Sequence, residues 1–183
     1  MRLFTAIDIP SDVLGNLERL LGRLEPAAPI KWSLPANLHI TTKFIGEWPE
    51  ARLDELKQAL AGVPKHDPIP IEIRNLGFFP NPHSPRVFWA GIHAPPELAS
   101  LARDIDGALA ALGIEPEKRA FSPHLTLARI KEPRPLVNLR QEIAALDSLE
   151  FGSFTAGSFY LYHSRLQPAG SVYTKLSEFP LSK

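Results

Sequence analysis

Hydrophobic positions recur along this chain at two spacings, one typical of strands and the other typical of helices. Residues 2–9 alternate in side-chain character and are rich in branched and aromatic residues, which predicts a strand. Leucines and a valine then recur at three- and four-residue intervals over residues 10–24, which predicts an amphipathic helix. The same two patterns predict strands at 38–45, 69–79, 86–92, 124–130, 151–164 and 172–179, and helices at 49–60, 95–112 and 136–146.

The order of these elements is similar in the two halves of the chain. Both halves contain hairpin-like pairs of strands as well as helices, a mixture that favours α+β architecture over a doubly wound parallel sheet. We therefore predict a single bilobal domain over residues 1–183. Each of its two pseudo-symmetric lobes is expected to contain a mainly antiparallel sheet with helices packed outside it, and an active-site cleft is expected between the lobes.

Composition narrows the possible functions mainly by exclusion. The 20 Lys and Arg residues balance 20 Asp and Glu, so a nucleic-acid partner would have to bind at a small local site rather than through a strongly basic surface. The absence of cysteine excludes disulfide scaffolds, cysteine-based zinc sites and thiol nucleophiles. Asp8 and Pro10 interrupt the N-terminal segment before a signal-peptide core can form, and no apolar stretch approaches the ~20 residues of a membrane span. We therefore expect a cytoplasmic protein with no membrane partner.

Two short segments carry the candidate chemistry. Each places a His-x-Thr triplet in a predicted strand, with His39 and Thr41 in the first half and His124 and Thr126 in the second. Because successive strand side chains point to opposite faces, the imidazole and the hydroxyl of each triplet share one face. Chance would produce this triplet only about 0.2 times in a chain with these numbers of histidine and threonine. Two copies at corresponding places favour one shared site; the alternative is two core histidines, each hydrogen-bonded within its own lobe.

Paired histidines and threonines suit phosphoryl transfer without a metal. Hydrolysis of a phosphodiester needs a base that deprotonates water and an acid that protonates the leaving oxygen, and each role typically contributes ~10²–10⁴ in rate. The pKa of histidine, ordinarily near ~6.5, lets one imidazole be neutral while the other is charged at the same pH. The threonine hydroxyls can donate hydrogen bonds to phosphate oxygens. No histidine or carboxylate cluster has metal-ligand spacing, so we predict activity that needs no metal and no cofactor.

The flanks of both triplets resemble those of the two-histidine phosphoesterase superfamily, and specifically those of the RNA 2′,3′-cyclic phosphodiesterases, also called 2′-5′ RNA ligases. The matching segments cover nearly the whole chain and are residues 2–7, 38–41, 44–47, 79–80, 85–87, 121–129 and 164–173. Thr42 replaces the leucine that commonly follows the first triplet in this family. Alternation predicts that Thr42 points away from the site.

The resemblance implies a role for each residue of the two triplets. His39 is implied to be the proton donor to the leaving 3′-oxygen, and His124 the proton acceptor that activates water, so that the product is a 2′-phosphomonoester. The near-symmetric triplets do not themselves distinguish the acid from the base. Thr41 and Thr126 are implied to bind the phosphate oxygens. Arg129 also matches the family pattern, but regular alternation places it on the opposite face unless the strand twists or bulges, so phosphate binding and a structural ion pair have equal weight.

The implied partner is an RNA 3′ end, or a small nucleotide, that carries a 2′,3′-cyclic phosphate. A monomer is expected because the two lobes already supply both triplets. Two other enzymes are alternatives: a 2′-5′ RNA ligase, and a phosphodiesterase that acts on another small cyclic or 2′-5′-linked nucleotide. The alternative from a different class is a non-catalytic module that binds RNA ends.

Other polar residues give weaker signals. His66 is expected to be solvated in a polar turn, and the remaining histidines are interpreted as structural; they are His83, His93 and His163. Lys43 lies close to the first triplet and is a candidate contact for the 5′ side of an RNA, although solvation is the more common role of such a side chain.

Overall fold

The computed structural model describes residues 1–132 and 134–182, which form nine strands and four α-helices. In chain order these are β1 (Arg2–Ile7), α1 (Ser11–Leu24), β2 (Lys31–Trp32), β3 (Ile40–Glu47), α2 (Leu53–Ala61), β4 (Ile69–Phe79), β5 (Val87–His93), α3 (Pro96–Ala110), β6 (His124–Arg129), α4 (Val137–Ala144), β7 (Glu150–Ala156), β8 (Ser158–Gln167) and β9 (Gly170–Pro180). None of the four described helices has the length and apolar character needed to cross a membrane.

The strands form two sheets. The first sheet has the strand order β3-β1-β8-β9, and the second has the order β2-β6-β5-β4-β7. All paired neighbours in both sheets run antiparallel. The predicted α+β class, with two lobes built on antiparallel sheets, is therefore confirmed.

Each lobe combines segments from both halves of the chain. β1 and β3 from the first half pair into one sheet with β8 and β9 from the end of the chain, whereas β4 joins β5, β6 and β7 in the other sheet. Two helices likewise pack against the sheet of the other lobe. α1 lies between β1 and β3 in the chain but packs against β7, and α3 lies between β5 and β6 but packs against β3. The lobes are interlocked, so they do not correspond to the two halves of the sequence.

The predicted apolar face of α1 shows how a helix is held against the sheet of the other lobe. Val13 and Leu17 on this face are almost fully buried in the core. Gly152 of β7 has a φ of +139° and approaches α1 so closely that a Cβ there would lie 2.9 Å from a methyl group of Val13. The Asn16 side-chain amide donates a hydrogen bond of 2.8 Å to the backbone carbonyl of Phe151. Glycine at this position therefore permits the close contact between the helix and the strand.

Two predicted elements differ from the structure, and one strand is not predicted. The strand predicted at 151–164 is two strands, β7 and β8, which belong to different sheets and are separated at Gly157. Both strands bury apolar residues, so the apolar pattern continues through the corner and does not reveal it. The helix predicted from residue 49 begins at Leu53, because Glu50–Arg52 form a 3₁₀ turn. The short strand β2 is missing from the prediction, since two residues cannot show alternation.

Candidate active site

The first triplet lies at the start of β3. His39 directly precedes this strand, and Ile40, its first residue, is fully buried in the core. Thr41 therefore points to the other side of the first sheet, which we call its open face. Thr42 points to the core, where its hydroxyl oxygen lies 2.6 Å from that of Thr5. The predicted orientation of Thr42, away from the site, is confirmed.

Polar and aromatic side chains surround His39 on the open face. One carboxylate oxygen of Asp8, the residue that follows β1, lies 3.6 Å from His39 Nε2. The Tyr162 hydroxyl donates a hydrogen bond to the same oxygen, and the Lys175 ammonium nitrogen lies 2.6 Å from the other. The ring centroid of His39 is 4.6 Å from that of Tyr162 and 6.0 Å from that of Tyr173. A single carboxylate thus contacts the imidazole, a phenol and an ammonium group.

These neighbours act on the His39 pKa in opposite directions. Burial has the largest effect and lowers the pKa, because loss of water disfavours the charged imidazole. The Asp8 carboxylate and the Asn37 carbonyl oppose this effect, whereas the Lys175 charge adds to it. The Asn37 contact falls short of hydrogen-bond geometry, and His39 Nδ1 has no hydrogen-bond partner among the described residues. The net result is a His39 pKa below its usual value.

The Asp8 carboxylate also acts on its other two partners. The hydrogen bond to Asp8 is the main reason that the pKa of Lys175 is raised, so the ammonium form is favoured. Burial, followed by the hydrogen bond to Asp8, raises the pKa of Tyr162, so the phenol keeps its proton. Tyr162 therefore acts as a hydrogen-bond donor to Asp8.

The second triplet begins β6 and has less polar surroundings. His124 Nδ1 lies 3.1 Å from the backbone carbonyl oxygen of Ser122. A carbonyl can only accept, so Nδ1 carries the hydrogen and Nε2 has a free lone pair in the neutral ring. The ring of Phe79 packs edge to face against His124, with centroids 5.1 Å apart, and Trp89 packs against Phe79 at 5.2 Å. Thr126 lies on the same side of the second sheet, which is the open face of that sheet.

A bulge after the second triplet changes which side of the sheet Arg129 faces. The register between β5 and β6 shifts at Leu127, and Leu127 and Ala128 are both buried. Alternation resumes one residue later, so Arg129 is exposed on the face that carries His124 and Thr126. The condition stated for Arg129, a bulge in the strand, is therefore met, and Arg129 does not lie on the opposite face. Phosphate binding by Arg129 stays a prediction.

A corresponding bulge follows the first triplet. The register between β1 and β3 shifts at Thr42, and Thr42 and Lys43 are both buried. Lys43 Nζ lies 2.6 Å from a carboxylate oxygen of Asp106 in α3 and 2.9 Å from the Glu115 carbonyl oxygen. The suggestion that Lys43 is solvated or contacts RNA is therefore wrong. Phe44, the next residue, is 69% exposed.

The segment between β2 and β3 connects the two triplets. The Ser33 hydroxyl donates a hydrogen bond of 2.7 Å to the Thr126 carbonyl, and the Ser33 N–H donates one of 2.9 Å to the Leu127 carbonyl. His39 follows Ser33 by six residues, which span at most about 20 Å. The first triplet is therefore tethered to the strand of the second triplet by a short segment.

The other histidines discussed in the sequence analysis have different surroundings from those of the triplets. His66 Nε2 lies 2.9 Å from a carboxylate oxygen of Asp104, and its side chain is 13% exposed, so the expectation of a solvated His66 is wrong. His163 is adjacent to Tyr162 in β8 and therefore points to the other face of the first sheet. A groove of about 480 Å³, lined partly by His93, includes no residue of either triplet. Within residues 1–132 and 134–182, no group of three or more His, Cys, Asp or Glu side chains is arranged to hold a metal ion.

Three residues around His39 are absent from the sequence prediction. Tyr162 and Lys175 are 154 and 167 residues away from Asp8, so no local pattern links them. The available signal is alternation in the first strand, which places Asp8 on the same face as Ala6 and Phe4 if the pattern continues past Ile7.

Comparison with known proteins identifies the family of the chain. A family model described as LigT like Phosphoesterase matches residues 7–89 and 92–173, and each range contains one triplet. The chain belongs to this family. It is 35% identical over 183 residues, 99% of each chain, to a protein of Methanothermobacter thermautotrophicus named RNA 2′,3′-cyclic phosphodiesterase. It is 36% identical to a protein of the same name from Aeropyrum pernix, over 91% of this chain and 95% of that one.

Two solved structures have the same fold as this chain. The crystal structure of TT0787 of Thermus thermophilus has a TM-score of 0.80 and 32% identity, and the match covers 99% of this chain and 98% of that one. The structure of E. coli LigT complexed with 3′-AMP has a TM-score of 0.79 and 27% identity, and covers 100% of this chain and 98% of that one. The resemblance to the two-histidine phosphoesterases is confirmed. The chain is an enzyme, a phosphodiester hydrolase, and the interpretation as a non-catalytic binding module is wrong.

Proposed function

We propose that this LigT-like phosphoesterase hydrolyses RNA 2′,3′-cyclic phosphate ends to 2′-phosphomonoester ends without a metal, with His39 as proton donor and His124 as proton acceptor. The observation that carries the proposal is the pair of triplets, each with its histidine and threonine on an open sheet face, joined by the short segment that begins at Ser33. Curated relatives named RNA 2′,3′-cyclic phosphodiesterase and the E. coli LigT complex with 3′-AMP support a nucleotide substrate.

The reaction moves one proton at each histidine. His124 Nε2, which has a free lone pair in the neutral ring, removes a proton from water while the water oxygen bonds to phosphorus. The bond between phosphorus and the 3′-oxygen breaks, and its electron pair stays with that oxygen. The leaving 3′-oxygen receives the proton of charged His39, which becomes neutral. The products are a 3′-hydroxyl and a 2′-phosphomonoester.

Neighbouring side chains stabilise the charge that develops on the phosphate. The Thr41 and Thr126 hydroxyls donate to its non-bridging oxygens, and the Arg129 guanidinium, which lies on the same face as Thr126, pairs with the same group. Phe44 presents an exposed ring on which a nucleobase can stack. Two imidazoles provide both proton transfers and these donors provide the charge stabilisation, so the step needs no metal.

The test is an end-group assay on a short RNA that ends in a 2′,3′-cyclic phosphate. Wild type, His39→Ala and His124→Ala are incubated with it in excess chelator, and the product is identified by mass and with isomer-specific standards. His163→Ala is the matched control, because His163 lies on the other face of the same sheet. We expect the 2′-phosphate from wild type and control only.

Each of the other possible outcomes of this assay would contradict a specific part of the proposal. Activity lost in chelator and restored by a divalent ion would contradict the metal-free step. A 3′-phosphate would contradict the assignment of the leaving oxygen. A joined 2′-5′ RNA, or cleavage of a 2′-5′-linked dinucleotide alone, would favour the ligase or the alternative phosphodiesterase. A monomeric state and a cytoplasmic location stay predictions.

A further inference from the structure

The strand registers allow the surroundings of the two triplets to be compared residue by residue. In the first sheet Thr41 pairs with Ala6 of β1, and in the second sheet Thr126 pairs with Trp89 of β5. β1 and β5 are therefore equivalent strands, each beside the strand that carries a triplet. Both registers are interrupted by a bulge immediately after the threonine, so the equivalence extends to the local distortion.

Two residues after Ala6 and Trp89, β1 and β5 lead to different side chains opposite the two histidines. His124 pairs with Gly91 of β5. In the first sheet the register ends at Ile7, which pairs with Ile40, and its continuation by one residue places Asp8 opposite His39. Asp8 and Gly91 therefore occupy equivalent positions, one with a carboxylate and the other with no side chain.

The aromatic ring beside His39 is also more polar than the ring beside His124. Phe4 pairs with Tyr162, and its equivalent in the second sheet, Val87, pairs with Phe79. Tyr162 and Phe79 are thus equivalent and pack against His39 and His124 at similar centroid distances of 4.6 and 5.1 Å. Only the ring beside His39 carries a hydroxyl, and that hydroxyl donates to Asp8.

The second sheet has no room for a carboxylate at the equivalent position. A Cβ at Gly91 would lie 2.5 Å from the Arg74 carbonyl oxygen and 3.2 Å from His93 Nε2. These contacts are too close for any side chain without movement of the β4 backbone. The packing of the second sheet therefore excludes a carboxylate beside His124 at the position that Asp8 occupies beside His39.

We propose that Asp8 is a positioning residue: its carboxylate, held beside His39 Nε2 by Tyr162 and Lys175, favours the protonated imidazole against the effect of burial and thereby suits His39, rather than His124, to the role of proton donor. At 3.6 Å the Asp8 oxygen is too far from His39 Nε2 for a hydrogen bond, so the carboxylate acts through its charge and leaves the Nε2 hydrogen free for the leaving oxygen. His124 has no such neighbour at the equivalent position, because Gly91, which lies opposite it, carries no side chain. The inference rests on the function proposed above and assigns the two roles within it.

The charged groups that face His39 from the packed strands act with opposite signs. Asp8 follows β1 and favours the charged imidazole, whereas Lys175 of β9 disfavours it. Among the described residues, the phenols of Tyr162 and Tyr173, from β8 and β9, also lie beside the His39 ring. Removal of Asp8 and removal of Lys175 should therefore shift the His39 pKa in opposite directions, which a general loss of structure would not do.

The first arm of the test measures the His39 imidazole itself, without substrate. NMR titration compares wild type with Asp8→Asn and Lys175→Met, and the His39 signal is assigned by its absence from His39→Gln. We expect Asp8→Asn to lower the His39 pKa by roughly one pH unit and Lys175→Met to raise it. Asp104→Asn is the matched control, because the Asp104 carboxylate contacts His66 rather than His39, and it should leave the His39 pKa unchanged. An unchanged pKa in Asp8→Asn, or shifts of the same sign in Asp8→Asn and Lys175→Met, would overturn the inference.

The second arm measures kcat against pH on the cyclic phosphate RNA. Loss of activity at high pH reports deprotonation of the proton donor in the bound complex, so Asp8→Asn should move this alkaline limb to lower pH. A merely structural role would reduce kcat at all pH values and leave the limb in place. If wild type does not open the cyclic phosphate, the proposed function is wrong. If wild type does open it and Asp8→Asn keeps the wild-type limb, only the role of Asp8 is wrong.

Discussion

The surroundings of His39 and His124 show how much two equivalent sites can differ when their backbones match. Each histidine is beside a threonine, a bulge and an aromatic ring, and each strand of a triplet pairs with an equivalent neighbour. The side chain opposite the histidine is a carboxylate in the first sheet and a hydrogen in the second. If the two imidazoles serve one reaction, as proposed, the single side chain opposite each histidine is what distinguishes their roles.

The strongest test of this comparison removes each histidine in turn and then both. His39→Ala and His124→Ala should each lower kcat by ~10²–10⁴, because each removes one of two proton transfers. The double variant should be little worse than the poorer single variant, since both groups act in the same step. Single-turnover rates on the cyclic phosphate RNA provide the measurement. Losses that multiply in the double variant would show that the two histidines act independently.

The next largest effect is expected two residues after each triplet threonine, where the side chains of the two sheets differ again. Lys43 of the first sheet is buried against Asp106, whereas Ala128 occupies the equivalent position in the second sheet. Lys43→Met should lower the free energy of unfolding by about 3 kcal/mol, because it leaves the Asp106 carboxylate without its partner.

Urea unfolding provides the measurement for this variant. Lys118→Met is the control, because Lys118 is 86% exposed and its substitution should change stability by less than about 0.5 kcal/mol. Equal stability of the Lys43 and Lys118 variants would show that the buried ion pair contributes nothing specific to the first sheet.

Local patterns predict the two triplets well and their surroundings poorly. Alternation places His124 and Thr126 on one face because both lie within one strand before the bulge. The same rule fails for Arg129, because the bulge at Leu127 reverses the alternation, and consecutive apolar residues do not by themselves distinguish a bulge from a buried strand. Asp8 and Lys175 meet only through the strand order of the folded sheet, which depends on pairing across nearly the whole chain.

The threonines provide a sharper test of the equivalence of the two triplets. Thr41→Val and Thr126→Val should each reduce kcat by about 10², because each removes one donor to the phosphate while preserving the shape of the side chain. Losses of similar size would support equivalent roles in the two sheets. Thr155→Val in β7, which belongs to neither triplet, should keep wild-type kcat. A loss confined to one triplet threonine would show that the phosphate lies closer to one sheet.

The smallest effects are expected from substitutions of Arg129 and of Phe44, which occupies the equivalent position in the first sheet. Both follow a bulge and are exposed on an open face, but one carries a charge and the other an apolar ring. Arg129→Lys should lower kcat/KM about tenfold, because an ammonium cannot form the paired hydrogen bonds that a guanidinium makes with phosphate. Its free energy of unfolding should stay within about 0.5 kcal/mol of wild type, as expected for an exposed side chain outside the core.

The alternative role of Arg129 predicts the reverse pattern. If Arg129 forms a structural ion pair, Arg129→Lys keeps turnover and Arg129→Ala lowers stability. Phe44→Leu is the companion variant, and it should raise KM with little change in kcat if the exposed ring stacks on a base that does not react. An effect on KM from Phe44 together with an effect on kcat from Arg129 would assign base binding to the first sheet and phosphate binding to the second. The same pair of equivalent positions would then serve two parts of one nucleotide.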